Sequence, residues 1–317
     1  MGPRSEAVEE ALKTGSQSPE TNSLDPHAPL DSSALTRLIR GATAWLERNA
    51  ATVNQLNVFP VPDGDTGTNM LLTMRAAADG AAKAKSTGTG AVMRAIAQGA
   101  VMGARGNSGV ILSQIVAGFA RGMEDSTTVD GPTFARAIME GSSTAYRAVT
   151  RPVEGTILTV AREAGEGAMH VLSSHAAPSC LQVLEAALAS AVQAVERTPE
   201  QLPVLRQAGV VDAGGEGYRV ILEGMALVLR GEPIPASAAE VMHSPMPHAA
   251  EHRLSVDTSA IPDEEWGYCT QFVIQGDALD LERIRGEMQE IAASALVVGD
   301  EEFVRVHGHT EDPGQLL

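Results

Sequence analysis

Lysine is nearly absent from this 317-residue sequence. Lys13, Lys83 and Lys85 are the full set, and none follows a glycine. A P-loop, which needs lysine directly after its glycine-rich turn, is therefore excluded. Aromatic residues make up 3 %, so a core has to come from Ala, Val, Leu, Ile and Met, a set that favours closely packed helices. The two cysteines, Cys180 and Cys269, make no disulfide framework, and a reduced, cytoplasmic setting is the default. No run approaches the roughly 18 apolar residues of a membrane span. The start, MGPRSEAVEEALKTG, lacks the apolar middle of a signal peptide.

Charge is uneven. The net value is −17, but residues 1–31 carry six acids against Arg4 and Lys13, and residues 251–317 carry fifteen acids against four arginines. The stretch between is close to neutral. It can host a polyanion if metal ions help, whereas the acidic ends argue against nucleic acid or anionic membrane as a partner.

Residues 1–31, rich in Ser, Pro, Glu and Thr, read as a disordered tail. From Ser32 the pattern becomes helical: Leu35, Leu38, Ile39, Ala42, Trp45 and Leu46 recur at the 3.6-residue period, with Ser32 or Ser33 as N-cap. Further helices are expected at about 68–82, 91–103, 108–122, 132–149, 156–173, 181–197 and 216–230, making an all-α domain over 32–230. Residues 231–262, with five prolines, read as a linker. Beyond it, strands at Gly267–Gly276 and Leu296–His309 flank an amphipathic helix, Leu279–Ala295, so that 263–317 is the beginning of an α/β domain. The chain stops at Gln315-Leu316-Leu317 without a polar tail and reads as truncated.

The glycine-rich polar segments fall on alternate connections of that helix series. They are Pro62-Asp63-Gly64-Asp65-Thr66-Gly67-Thr68-Asn69, Gly103-Ala104-Arg105-Gly106-Asn107-Ser108-Gly109, Pro152-Val153-Glu154-Gly155-Thr156 and Gly209-Val210-Val211-Asp212-Ala213-Gly214-Gly215-Glu216-Gly217. In an up-and-down antiparallel bundle alternate connections share one end. Each loop opens a helix, whose N-terminal amides and dipole attract anions, and glycine lets the backbone come close. Asp63 and Asp65 add two hard oxygen ligands, a donor set suited to Mg²⁺ carrying a nucleotide. Thr68, Asn107, Ser108 and Thr156 supply neutral donors. Asp-Gly pairs also form turns, and Ser, Asn and Gly also cap helices, but four such loops at one end outweigh that blander reading. Gly88-Thr89-Gly90 is half a dinucleotide fingerprint without a preceding strand, and Gly106-Asn107-Ser108-Gly109-Val110 misses the spacing of a nucleophile elbow.

The segment Asn57-Val58-Phe59-Pro60-Val61-Pro62-Asp63-Gly64-Asp65-Thr66-Gly67-Thr68-Asn69-Met70 resembles the signature of the ATP-binding subunit of bacterial fatty acid kinase. That subunit belongs to the superfamily of the dihydroxyacetone kinase nucleotide-binding (L-type) domain. Segments 102–114, 152–160 and 209–215 resemble its other loops. The resemblance implies an eight-helix antiparallel barrel with ATP and two Mg²⁺ at one end. It implies that Asp63 and Asp65 are metal ligands on which catalysis rests, with Thr68, Asn69, Asn107, Ser108, Thr156 and Asp212 around the nucleotide. The dihydroxyacetone kinase pattern has a third, upstream aspartate; here Asn57 is its best substitute. The resemblance also implies an acyl chain presented by a separate fatty-acid-binding carrier protein, with an acyl phosphate as product, and leaves a homodimer open. Two other readings stand beside it: a glycerone (dihydroxyacetone) kinase-type subunit, and a non-catalytic nucleotide-sensing module.

Residues 263–317 resemble the middle domain of the same family at Tyr268-Cys269-Thr270 and Val306-His307-Gly308-His309-Thr310. On a strand His307 and His309 share a face. With Cys269 from a neighbouring strand they form a ligand set that fits Zn²⁺, expected to be structural or interaction-related because phosphoryl transfer is assigned to the Mg²⁺ end.

Overall fold

The computed structural model describes residues 24–25, 27–84, 88–149, 151–234, 268–299 and 301–317. The tail and linker readings fall largely on residues outside these. Nine helices are described before residue 235: α1 (Ser32–Gln55), α2 (Thr66–Lys83), α3 (Thr89–Gly103), α4 (Gly106–Arg121), α5 (Gly131–Ala148), α6 (Ile157–Ser174), α7 (Cys180–Gln201), the short α8 (Pro203–Ala208) and α9 (Ala213–Arg230). Each long helix packs on its neighbours in chain order, and α9 closes the ring against α1. The closure is tight because glycines face it: a Cβ on Gly224 would lie 2.8 Å from Ala42 Cα. The core is aliphatic, as a sequence with so few rings requires, with Leu35, Leu38, Leu46, Met70, Met74, Met93, Ile96 and Leu184 among its fully buried members.

Local chemistry sets the helix ends. Asp31, rather than Ser32 or Ser33, caps α1 by accepting from the Ala34 amide at 2.8 Å. A carboxylate there also favours the positive end of the helix. Helix α7 runs past the expected boundary and through Pro199. Proline has no N–H for the carbonyl four residues back, and the Thr198 hydroxyl donates to that carbonyl, Val195 O, at 2.7 Å. The short α8 is too brief to leave a periodic stripe, and the helix series read from periodicity omits it.

The remaining described chain forms β1 (Tyr268–Gln275), α10 (Leu281–Ile291), β2 (Ala293–Gly299), β3 (Phe303–Thr310) and the turn-like α11 (Pro313–Leu316). The sheet is antiparallel in the order β1-β3-β2. The single strand expected over 296–309 is in fact a hairpin. Gly299, at φ 145°, takes a conformation open mainly to glycine, and the acidic residues after it are poor strand formers. Alternation along β3 divides its side chains. Val304 and Val306 pack with Val297, Phe272 and Ile274 beneath α10. Phe303 lies on the opposite face, packed with Leu296 and Val298 against Val101, Ala104, Val110 and Ala148 of the helical domain. A backbone bridge between Val149 and Leu296 ties the two parts together.

Candidate functional site

The four glycine-rich loops meet at one end of the helical ring. The first and second touch where Gly106 approaches Asn69. Gly106 has φ 55°, and a Cβ there would sit 2.5 Å from Asn69 Nδ2. The third and fourth meet through Thr198, whose hydroxyl accepts from the Asp212 amide at 3.0 Å and whose carbonyl lies beneath Gly155. The first and fourth share a small apolar cluster, Val58 with Leu202 and Leu205, flanked by Phe59 and Val210.

Asp63 and Asp65 stand at the tip of the first loop. The Asp63 side chain keeps contact with solvent, yet partial burial and then the charge and hydrogen bond of Asp65 push it up to about 6. Two carboxylates held so close favour a shared cation over mutual repulsion. Asn107 adds a second sign of a ligand: its Oδ1 is buried without a hydrogen-bond partner, a state that side-chain amides rarely occupy without cause. These observations fit a metal–nucleotide complex and do not depend on the resemblance.

Several expected site residues have other work. Asn57 is buried; its Oδ1 accepts from the amides of Asp65 and Thr66 at 3.2 and 3.1 Å and from Thr66 Oγ1 at 2.7 Å, while its Nδ2 donates to Val61 O at 2.7 Å. Its oxygen is fully occupied, so Asn57 scaffolds the loop and the reading of it as a Mg²⁺ ligand is dropped. Thr156 caps α6: its hydroxyl donates to Val153 O and accepts from the Leu158 amide. The Asp212 carboxylate caps α9 through the Gly215 amide at 2.6 Å, and burial pushes it up to about 7 against the pull of the Gly215 and Ile157 amides. Thr68 is held by Asn54, which donates to Thr68 Oγ1 at 3.0 Å and accepts from its amide at 3.1 Å. Asn54 is absent from the residues expected at the site; an amide near the end of an otherwise apolar-patterned helix was the available signal. Ser108 lies in the first turn of α4.

The structure also brings Cys269, His307 and His309 together, with one ligand atom of each within 4.8 Å of the others. Cys269 Sγ is 4.0 Å from His307 Nδ1, and Cys269 pairs with His309 across β1 and β3. His307 is buried, its Nε2 has no partner, and burial, His309 and Arg305 hold it down at about 4. The cluster is not remote from the first loop. Partial burial raises the Cys269 thiol, and the charges of Asp65 and Asp63 raise it further. β3 turns the face bearing it toward the helical ring, on which Phe303 of the same face packs.

Residues 60–227 match the DAK2 domain model, more than half of the sequence. The chain belongs to the DAK2-domain family. Residues 265–317 match the FakA-like middle-domain model of fatty acid kinase. Among curated relatives, protein YloV of Bacillus subtilis (strain 168) is 39 % identical over 91 % of this chain and 52 % of its own length. An uncharacterised protein of Staphylococcus aureus (strain USA300) is 39 % identical over 88 % of this chain and 51 % of its own. The chain thus spans about half the length of the curated relatives it matches. The dihydroxyacetone kinase of C. freundii, solved with AMP-PNP and Mg²⁺, is 17 % identical at a TM-score of 0.46, over 64 % of this chain and 35 % of that one. Among the described residues no helix is long and apolar enough to cross a membrane.

Proposed function

We propose that this DAK2-family chain is the nucleotide-binding part of an ATP-dependent kinase that transfers a phosphoryl group to a carrier-bound fatty acid carboxylate. The observation that carries the reading is the meeting of four helix-opening loops at one end of the ring, the first of them bearing the closely coupled Asp63–Asp65 pair. In it, Asp63 and Asp65 hold Mg²⁺, and Asn69, Asn107 and Ser108 line the nucleotide. Thr68, Thr156 and Asp212 act at one remove by fixing the loops. Metal ions held there would neutralise phosphate charge. The chain's own residues bind and orient the nucleotide, which is most of what phosphoryl transfer asks of a protein. A carboxylate acceptor is already an anion at neutral pH, so the acceptor needs no general base. The middle-domain match over 265–317 supports an acyl acceptor, while the DAK2 match alone is equally at home with dihydroxyacetone.

Cys269, His307 and His309 are proposed as a Zn²⁺ site, on the ligand spacing and on the approach of Cys269 Sγ to His307 Nδ1. The decisive assay offers labelled ATP and Mg²⁺ with a fatty-acid-loaded carrier protein and, separately, with dihydroxyacetone. Label on the acyl group supports the proposal. Label on dihydroxyacetone replaces it with the glycerone kinase reading. Tight Mg-ATP binding with transfer to neither makes the chain a nucleotide sensor.

A further inference from the structure

Arg305 lies on the face of β3 that carries Phe303, His307 and His309. It is 5 % exposed. Its Nη1 donates to Met102 O at 2.8 Å, its Nη2 donates to Gln271 Oε1 at 3.2 Å, and its Nε has no partner. No carboxylate among the described residues forms an ion pair with it. Burial lowers its pKa, and the nearby charge of Arg105 lowers it further. A buried guanidinium is costly unless it is paired and hydrogen-bonded, and this one meets, among the described residues, only two neutral acceptors.

What it touches is informative. Met102 is in the last turn of α3, where carbonyls have no amide partner within the helix and where a cation is favoured. One residue later Gly103 ends α3, and Ala104-Arg105 lead into α4, whose first turn carries Asn107 and Ser108. The apolar seam of Leu296, Val298 and Phe303 against Val101, Ala104, Val110 and Ala148 already docks the sheet, so docking alone does not call for a buried cation. We propose that Arg305 is a positioning residue for the 103–109 loop. From the second domain it completes the C-terminal end of α3 and thereby orders the backbone that enters α4. The loop then takes its binding form only with the sheet in place. The inference rests on the nucleotide-site reading for its effect on ligand binding, but not for its effect on the loop.

Two readouts on the full chain test it, with Arg305→Met, Arg305→Lys and Gln271→Ala beside wild type. The first is amide hydrogen exchange in the absence of nucleotide. Arg305→Met should lose about tenfold or more of its protection over 105–110, with α1 and α9 unchanged. Arg305→Lys, which keeps the charge but not the fork that spans both acceptors, should fall between, and Gln271→Ala should show a smaller loss in the same segment. The second readout is Mg-ATP binding by calorimetry, which should weaken in the same order. Unchanged protection over 105–110 overturns the proposal, as does a loss spread evenly through the helical domain. Local loss with wild-type Mg-ATP affinity overturns the link to the nucleotide. If wild type itself binds no Mg-ATP, the kinase reading falls and the exchange data alone decide the role of Arg305.

Discussion

Replacing Asn57 by alanine removes four hydrogen bonds at once: those its oxygen accepts from the Asp65 amide and from the amide and hydroxyl of Thr66, and the one its Nδ2 donates to Val61 O. Thr66 is 6 % exposed, so water cannot readily replace the lost acceptor. Each buried orphan costs about 1–3 kcal/mol; with partial relaxation the total is about 3 kcal/mol. For a helical domain of this size each kcal/mol moves Tm by about 2–4 °C, which gives a fall of about 6–12 °C. The companion variant Asn57→Asp separates scaffold from ligand. Aspartate keeps the acceptor, loses the donor to Val61 O, and adds a negative charge beside Asp63 and Asp65. If Asn57 is a scaffold, this variant melts below wild type and binds Mg²⁺ no better. Thermal melts and Mg²⁺ titrations of both variants decide it. An Asn57→Ala melt close to wild type, together with tighter Mg²⁺ binding by Asn57→Asp, would refute the scaffold argument.

Three further outcomes are expected. Asp63→Asn and Asp65→Asn should each abolish Mg²⁺-dependent ATP binding or turnover while helical circular dichroism persists, since loss of one ligand costs a metal site several kcal/mol of stabilisation; near-wild-type turnover in either would sink the metal assignment. Asp212 sits at about 7 when folded against an ordinary value of 3.8. The native state therefore holds the extra proton between those values, and the group's contribution to stability is full below about pH 4 and is lost as pH rises through 7. Without nucleotide, the wild-type melt should fall from pH 5 to pH 8 more steeply than that of Asp212→Asn, and equal slopes would dismiss the effect. Cys180 is buried, and its thiol is pushed up to about 12, whereas Cys269 is exposed. Metal-free native protein should accordingly give one titratable thiol at neutral pH, assigned by mass spectrometry to Cys269; prompt labelling of Cys180 would contradict its packing.

The helical layout was legible because burial in a ring of helices leaves a 3.6-residue stripe, as in Leu35, Leu38, Ile39, Ala42, Trp45 and Leu46, all of them buried. The loops were legible because their glycines and acids interrupt that stripe. Other features escaped. Pro199 reads as a stop, and its tolerance depends on one threonine hydroxyl that periodicity does not weigh. The β2–β3 hairpin reads as one strand because both halves are apolar and the turn is short. Asn57 reads as a stand-in for an upstream aspartate, since residue type suggests a ligand while its job is set by donors eight and nine residues on, visible only once the loop has closed. Arg305 was invisible for the same reason: its partner lies 203 positions away in the chain.

The zinc site is the prediction that most constrains how the two domains work together. Bond lengths of about 2.3 Å to sulfur and about 2.0–2.1 Å to nitrogen place tetrahedral ligands roughly 3.3–3.7 Å apart. Ligand atoms within 4.8 Å of one another, with Cys269 Sγ and His307 Nδ1 at 4.0 Å, need to close by at most about 1.5 Å. His307 is already neutral at physiological pH, so it needs no proton removed; Cys269, raised by burial and by Asp65 and Asp63, must lose one. Zinc affinity should therefore rise with pH through the neutral range, with one proton released per ion. It should also weaken on the addition of Mg²⁺ if the Mg²⁺ partly cancels the Asp63 and Asp65 charges that attract zinc from nearby. Elemental analysis of tag-free protein should find about one zinc per chain, lost in Cys269→Ala and in His307→Ala. Zinc absent from wild type, or retained in both variants, would leave three strand residues that are merely neighbours.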